Sequence, residues 1–420
     1  HRGMGHVAEI FRAGTLERLA GRGAIGHARY STAGSSALLN AQPIVVRTSM
    51  GSLAIVHNGN LANAVELRRR LEEGGSIFQT TSDTEVILHL MARNPRRDVV
   101  ESLMLALEKV RGAYSLLLLT EGCLVAARDP HGFRPLVMGE IEGSPCFASE
   151  SCAFSLLGVE GERELEPGEV VVSRAEGIDR YRLSPAPISS RCLFEQVYFA
   201  RPDSVVFEQS VSDARLRMGA RLAREAPADA DIVVPVPDSG MFAALGYARE
   251  SGLPLEFGLI RNHYVGRTFI EPKQAIRHFG VKVKLNPVSG LIAGRRVVLV
   301  DDSIVRGTTS PKIVKMVRDV GAAEVHLRIS CPPTAWPCHY GIDMPTREEL
   351  IASSHTVEEI RQYVGAVSLA YLSCVGMLYC MSAPAERYCT ACWTGDYRVP
   401  ICAPDSRQKD LFPISTGEEQ

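Results

Sequence analysis

Three short runs of β-branched and aliphatic residues constrain the fold of this chain more than any other feature: DIVVPVP at 231–237, RRVVLVDD at 295–302 and VHLRIS at 325–330. Stretches with helical spacing separate them, among them TSPKIVKMVRDVG at 309–321. Short apolar strands alternating with helices are the signature of an α/β domain built on a parallel sheet.

The first half has another rhythm. GSLAIVHNGNL, SLLLLTEGCLVAARD and EVVVSRAEG read as strands and turns, while LANAVELRRRLEEGG and TSDTEVILHLMAR carry helical spacing. LSPAPISSR, 183–191, concentrates Pro and Ser and reads as the linker. The chain of 420 residues is therefore divided into 1–190, 191–345 and a last segment, 346–420. In that segment TREELIASS and TVEEIRQYVG read as helices ahead of a Cys-bearing tail. Lys plus Arg number 46 against 48 Asp plus Glu, which makes no electrostatic case for nucleic acid or an anionic membrane as partner. The longest apolar run, SLLLLT at 115–120, is far short of the roughly 18 residues of a membrane helix. The opening HRGMGHVAEIFRAG has no signal-peptide apolar stretch. Eleven Cys, an odd number in a long chain, suit reduced thiols or a metal site in the cytoplasm better than a disulfide framework.

VVLVDDSIVRGTT, 297–309, ends a strand on two aspartates and continues into a loop of small polar residues before a helix. At the carboxyl end of a parallel strand such side chains open into the ligand crevice. The loop amides and helix dipole favour a phosphate, and the carboxylates suit sugar hydroxyls or Mg²⁺. The stretch asks for a phosphorylated sugar.

VVLVDDSIVRGTT resembles the phosphoribosyl-pyrophosphate (PRPP) motif of type I phosphoribosyltransferases. With RNHYVGRTFIEP, VKVKLNPV, FEQVYFARPDS and YGIDMPTREELIA, the chain resembles the glutamine PRPP amidotransferase family over nearly its whole length. The resemblance implies that Asp301 and Asp302 hold the ribose hydroxyls and Mg²⁺, and that Ser303, Gly307, Thr308 and Thr309 cradle the 5-phosphate. It implies that PVPDSG at 235–240 is the diphosphate loop, with Asp238 and the Mg²⁺ contact Ser239. The cation-rich stretch 261–284, including Lys282, is implied to be a lid over PRPP.

In HNGNL, a strand leading into a tight turn, Asn58 and the amide of Gly59 suit an oxyanion hole. Arg29 in HARYSTAG suits a substrate α-carboxylate, and Asp83 in TSDTE the α-ammonium. Together they resemble an N-terminal-nucleophile glutaminase domain of αββα architecture. That family uses an N-terminal Cys whose α-amine is the base. The chain starts at His1, in family sequence some tens of residues later, so the expectation is an N-terminally incomplete domain that supports only the ammonia-dependent reaction.

Cys389 and Cys392 form a C-T-A-C pair suited to a soft metal. Cys192 and Cys338 match the remaining ligand positions of the family's iron–sulfur branch, with Cys402 the alternative ligand. Four thiolates suit Zn²⁺ or a [4Fe–4S] cluster, and spacing does not separate the two; the resemblance favours the cluster.

The implied reaction is PRPP, glutamine and water to 5-phosphoribosylamine, glutamate and diphosphate, with ammonia channelled between domains. The resemblance further implies a homotetramer inhibited by purine nucleotides. A purine-salvage phosphoribosyltransferase would share only the 297–309 motif. A non-catalytic PRPP-binding regulator would have no need of the lid and Mg²⁺ residues.

Overall fold

The computed structural model describes residues 1–29, 37–184, 186, 188–262 and 285–401. Its first half is built on a six-stranded antiparallel sheet: β1 (Ile44–Thr48), β2 (Gly51–Leu61), β3 (Gly112–Leu119), β4 (Leu124–Arg128), β5 (Glu169–Arg174) and β6 (Gly177–Arg182), in that order. Alternation along β3 sorts its side chains. Leu116 and Leu118 meet Val86, Ile87, Met91, Leu103 and Leu107 from the helices α1 (Ala64–Glu73), α2 (Thr84–Arg93) and α3 (Val99–Leu107). Leu117 faces the other way, with Ala126 and Val171 toward Met138 of a three-stranded sheet (137–141, 144–148, 160–164). Helix, sheet, sheet is the layering seen.

The second half contains four parallel strands in the order β7 (Ile232–Pro235), β8 (Arg296–Asp301), β9 (Glu324–Ile329) and β10 (Ser368–Tyr371). Val233, Val298, Leu299 and Val325 are fully buried, as strands covered on both faces must be. Helices α4 (Val211–Glu225), α5 (Met241–Ser251) and α6 (Ser310–Asp319) pack beside them. The segment after 345 joins this body: α7 (Val357–Val364), opened by a Thr356–Glu359 capping box, leads into β10 at the sheet edge. TREELIASS is not one helix. Two single turns, 347–349 and 351–353, are separated by Leu350, whose extended backbone buries its side chain completely.

Two contacts, the first within the second half and the other between the halves, join segments far apart in the chain. Arg191 and Cys192 pair in parallel with Tyr388 and Cys389. A small apolar cluster gathers Ala62, Ala113 and Phe133 from the first half with Tyr340, Ala391 and Val399 from the second. Among the described residues no helix is long and apolar enough to cross a membrane.

Candidate active sites and a four-cysteine pocket

Asp301 closes β8 and Asp302 follows it, both buried. The Asp302 amide donates to Asp301 Oδ1 at 2.9 Å, and Ser303 Oγ donates to Asp302. Burial, and then the neighbouring Asp302, push the Asp301 carboxyl well above its ordinary range. Residues 302–309 run as an irregular loop into α6, with Ser303 half-buried and Thr308 and Thr309 exposed. Gly307 has φ of 71°, and a Cβ there would lie 2.7 Å from Ile351 Cδ1, so only glycine fits. The neighbouring strand β7 carries the second loop. Pro235 pairs with Val300, and the Val236 amide donates to the Val300 carbonyl at 2.9 Å. Asp238 and Ser239 therefore emerge at the same carboxyl end of the sheet as Asp301 and Asp302. The Pro237–Asp238 peptide is cis, and Asp238 is ion-paired with Arg261. Lys282 and the rest of 263–284 lie outside the described residues.

In the first half, HNGNL is not a turn. β2 runs unbroken to Leu61, with Asn58 opposite Ser115, Gly59 opposite Tyr114 and Leu61 opposite Gly112. Gly59 is what allows this: a Cβ there would sit 2.1 Å from the Ala113 carbonyl oxygen. His57, buried, is fixed on every side. Its amide donates to Gln42 Oε1 at 2.6 Å, and its ring nitrogens lie 3.1 Å from Thr84 Oγ1 and 3.2 Å from the Ala113 oxygen. Asp83 begins α2 without capping it; its Oδ2 instead accepts from the Leu61 amide at 2.8 Å, tying α2 to the end of β2. Arg29 is half-buried; burial lowers its pKa, and the nearby Asp83 carboxylate opposes that. The expected carboxylate and ammonium binders thus sit together at the end of the Asn58–Gly59 strand.

Cys192, Cys338, Cys389 and Cys392 line one pocket, along with Phe133, Phe194 and Tyr340. The enclosed space between them is small, about 10 Å³. Burial pushes every one of these thiols up: Cys389 to about 12, Cys192 and Cys392 well above the ordinary value, and Cys392 further through Cys389, Cys192 and Cys338. Among the described residues no three His, Cys, Asp or Glu side chains gather closely enough for a single ion. A lone Zn²⁺ needs its sulfurs about 2.3 Å away. Four thiols lining one apolar pocket are a donor set suited to a soft metal centre, Zn²⁺ and an iron–sulfur cluster alike. Cys402 lies outside the described residues.

A glutamine amidotransferase domain family matches residues 27–155. An Arabidopsis thaliana amidophosphoribosyltransferase (number 2, chloroplastic) is 53% identical over 398 residues, 94% of this chain and 71% of the relative. The chain belongs to the amidophosphoribosyltransferase family. The Bacillus subtilis amidophosphoribosyltransferase is 49% identical over 406 residues, covering 96% of this chain and 85% of its own. The solved structure of the B. subtilis glutamine PRPP amidotransferase complexed with ADP and GMP matches with a TM-score of 0.88 at 48% identity, over 95% of this chain and 88% of that one. An amidophosphoribosyltransferase thus pairs a glutaminase-type antiparallel domain with a parallel-sheet transferase domain, as found here.

Several residues of this amidophosphoribosyltransferase-family site escape sequence reasoning. Glu85 accepts from the Gln79 and Thr80 amides, at 2.8 and 2.7 Å, and from Thr80 Oγ1. Burial would raise its pKa, but these bonds and His89 hold it down to about 2. Arg134 and Glu195, 1% exposed each, pair across the domain junction at 3.0 Å. Glu195 lies in LFEQVYF, where no periodicity marks a buried carboxylate; only the oddity of a charge in an apolar run was available.

Proposed function

We propose that the chain makes 5-phosphoribosylamine from PRPP with ammonia drawn from glutamine, the first step of purine biosynthesis. The observation that carries this reading is the buried Asp301–Asp302 pair beside the 235–240 loop, at the carboxyl end of a parallel sheet. Such a pair, short of charge compensation, suits ribose hydroxyls and a divalent cation.

Asp301, Asp302 and Ser239 would hold Mg²⁺, which when bound supplies counter-charge to the diphosphate. Ser303, Gly307, Thr308 and Thr309 receive the 5-phosphate through loop amides and hydroxyls at the start of α6. Asp238 and Lys282 belong to the diphosphate side. Displacement at C1 needs no protein nucleophile: the site holds ammonia and the sugar in line and shields the leaving charge. In the other half, Arg29 and Asp83 grip the α-carboxylate and α-ammonium of glutamine, and Asn58 with the Gly59 amide receive the oxyanion. The apolar seam of Ala62, Ala113, Phe133 and Tyr340 favours transfer of ammonia between the halves away from water.

Cys192, Cys338, Cys389 and Cys392 would hold a [4Fe–4S] cluster, whose chemistry here is structural cross-linking. The four thiols alone would suit Zn²⁺ as well, and it is the family resemblance that favours the cluster. Purine nucleotides such as ADP and GMP bind as feedback inhibitors in a cytoplasmic homotetramer; the related B. subtilis enzyme was solved as a complex with both nucleotides.

The test is anaerobic diphosphate release from PRPP and Mg²⁺, with ammonium chloride and with glutamine in parallel. Release that requires PRPP, Mg²⁺ and a nitrogen source is expected. No release with either source overturns the proposal.

A further inference from the structure

The thiol pocket and the oxyanion strand meet at one turn. Cys338 opens the sequence Cys-His-Tyr-Gly, and the Tyr340 amide donates to its sulfur at 3.3 Å. The outer side of the same turn bears on β2. Asn60 Nδ2 donates to the His339 carbonyl at 2.9 Å. Gly341, at φ of 102°, lies so close to Gly59 that a Cβ on it would be 2.7 Å from the Gly59 Cα and 2.9 Å from its carbonyl carbon. Gly59 is therefore held between Ala113 on one side and Gly341 on the other. The turn itself has little freedom: Tyr340 stacks on Phe133 at 4.2 Å, and its hydroxyl both donates to and accepts from the Val399 backbone at 2.9 Å.

We propose that the Cys338–Gly341 turn is a strut by which the four-cysteine site positions the Asn58–Gly59 oxyanion donors, with Asn60 as the positioning residue. This rests on the reading of Asn58 and Gly59 as those donors and of the four cysteines as ligands. Donors to an oxyanion act through placement fixed before the reaction, so a loosened strut lowers turnover more than substrate binding. A shared turn also means that emptying the thiol site loosens a strand in the other domain.

The test uses the full-length protein and Asn60→Ala, each as isolated and after removal of iron by an oxidant and chelator. In Asn60→Ala, kcat with glutamine falls about tenfold, while KM for glutamine and the ammonium-dependent rate stay within about twofold. Amide hydrogen exchange at 57–61 quickens on iron removal in the parent, and in Asn60→Ala it is already fast and insensitive to iron. Equal loss of the glutamine and ammonium rates, or exchange at 57–61 unchanged by both treatments, overturns the strut. If the protein shows no iron–sulfur absorption, the cofactor reading fails by itself. The comparison of parent with Asn60→Ala, which needs no metal, then decides the strut. If the parent does not use glutamine, exchange at 57–61 decides in the same way.

Discussion

Arg134 and Glu195 form a fully buried ion pair, Nη1 to Oε1 3.0 Å, with one partner in each domain. The Arg134 guanidinium also lies 4.6 Å from the centre of the Phe199 ring. Removing one member strands a charge in a low-dielectric junction. Arg134→Ala should cost about 3–5 kcal/mol, and Arg134→Met combined with Glu195→Gln clearly less. Urea unfolding of the two variants checks this; equal losses would show that packing, not the stranded charge, sets the cost.

Asp129 supplies a pH dependence. It is completely buried and accepts from the amides of Tyr114, His131 and Phe133. Burial nonetheless pushes its carboxyl up to about 7, against Arg128 and those amides. The folded protein thus keeps a proton that an unfolded aspartate releases near pH 4, at about its ordinary value. Stability from this group is complete below that pH and is lost as pH rises through about 7. Asp129→Asn cannot titrate, so the stability of the parent relative to this variant should decline between about pH 4 and 7. Urea midpoints across that range measure the decline, and parallel curves would refute it.

Asp301 and Asp302 separate function from folding. Asp301→Asn and Asp302→Asn should each lower ammonium-dependent diphosphate release by about 100-fold. Relief of repulsion leaves the Asp301→Asn variant at least as resistant to urea as the parent at neutral pH. A chelator of Mg²⁺ should abolish the parent's activity, and re-addition of the ion should restore it. Activity retained in either variant would remove the carboxylates from the site.

Cys392→Ser should lose bound iron and its visible absorption, and melt roughly 5–10 °C lower than the iron-loaded parent. Cys374→Ser, half-buried and outside the pocket, should keep both. Iron analysis with thermal melts checks the pair of variants; equal behaviour would mean that the pocket holds no iron.

Features carried by local chemistry were legible in the sequence. The parallel sheet announced itself because DIVVPVP and RRVVLVDD are apolar without alternation, and Asp301, Asp302 and Gly307 sit within one short stretch. Arg29 and Asp83 were nameable through resemblance, although nothing in either segment says that they meet. Long-range relations were illegible. That β2 would run through Asn-Gly instead of turning depends on pairing with Gly112–Ser115, and that Asp83 would serve Leu61 depends on how α2 docks. TREELIASS has helical spacing, yet burial of Leu350 and the bond from the Ile351 amide to the Val305 carbonyl break it into single turns. Tertiary contacts outweigh intrinsic helix preference there.

The short parallel pairing of Arg191–Cys192 with Tyr388–Cys389 sets an order of events during synthesis. Cys192 leaves the ribosome with the start of the transferase domain, but its partners Cys389 and Cys392 follow only after the whole parallel sheet has emerged. Completion of the pocket is therefore a late step in biogenesis, and a prematurely stopped chain would lack two of the four pocket cysteines.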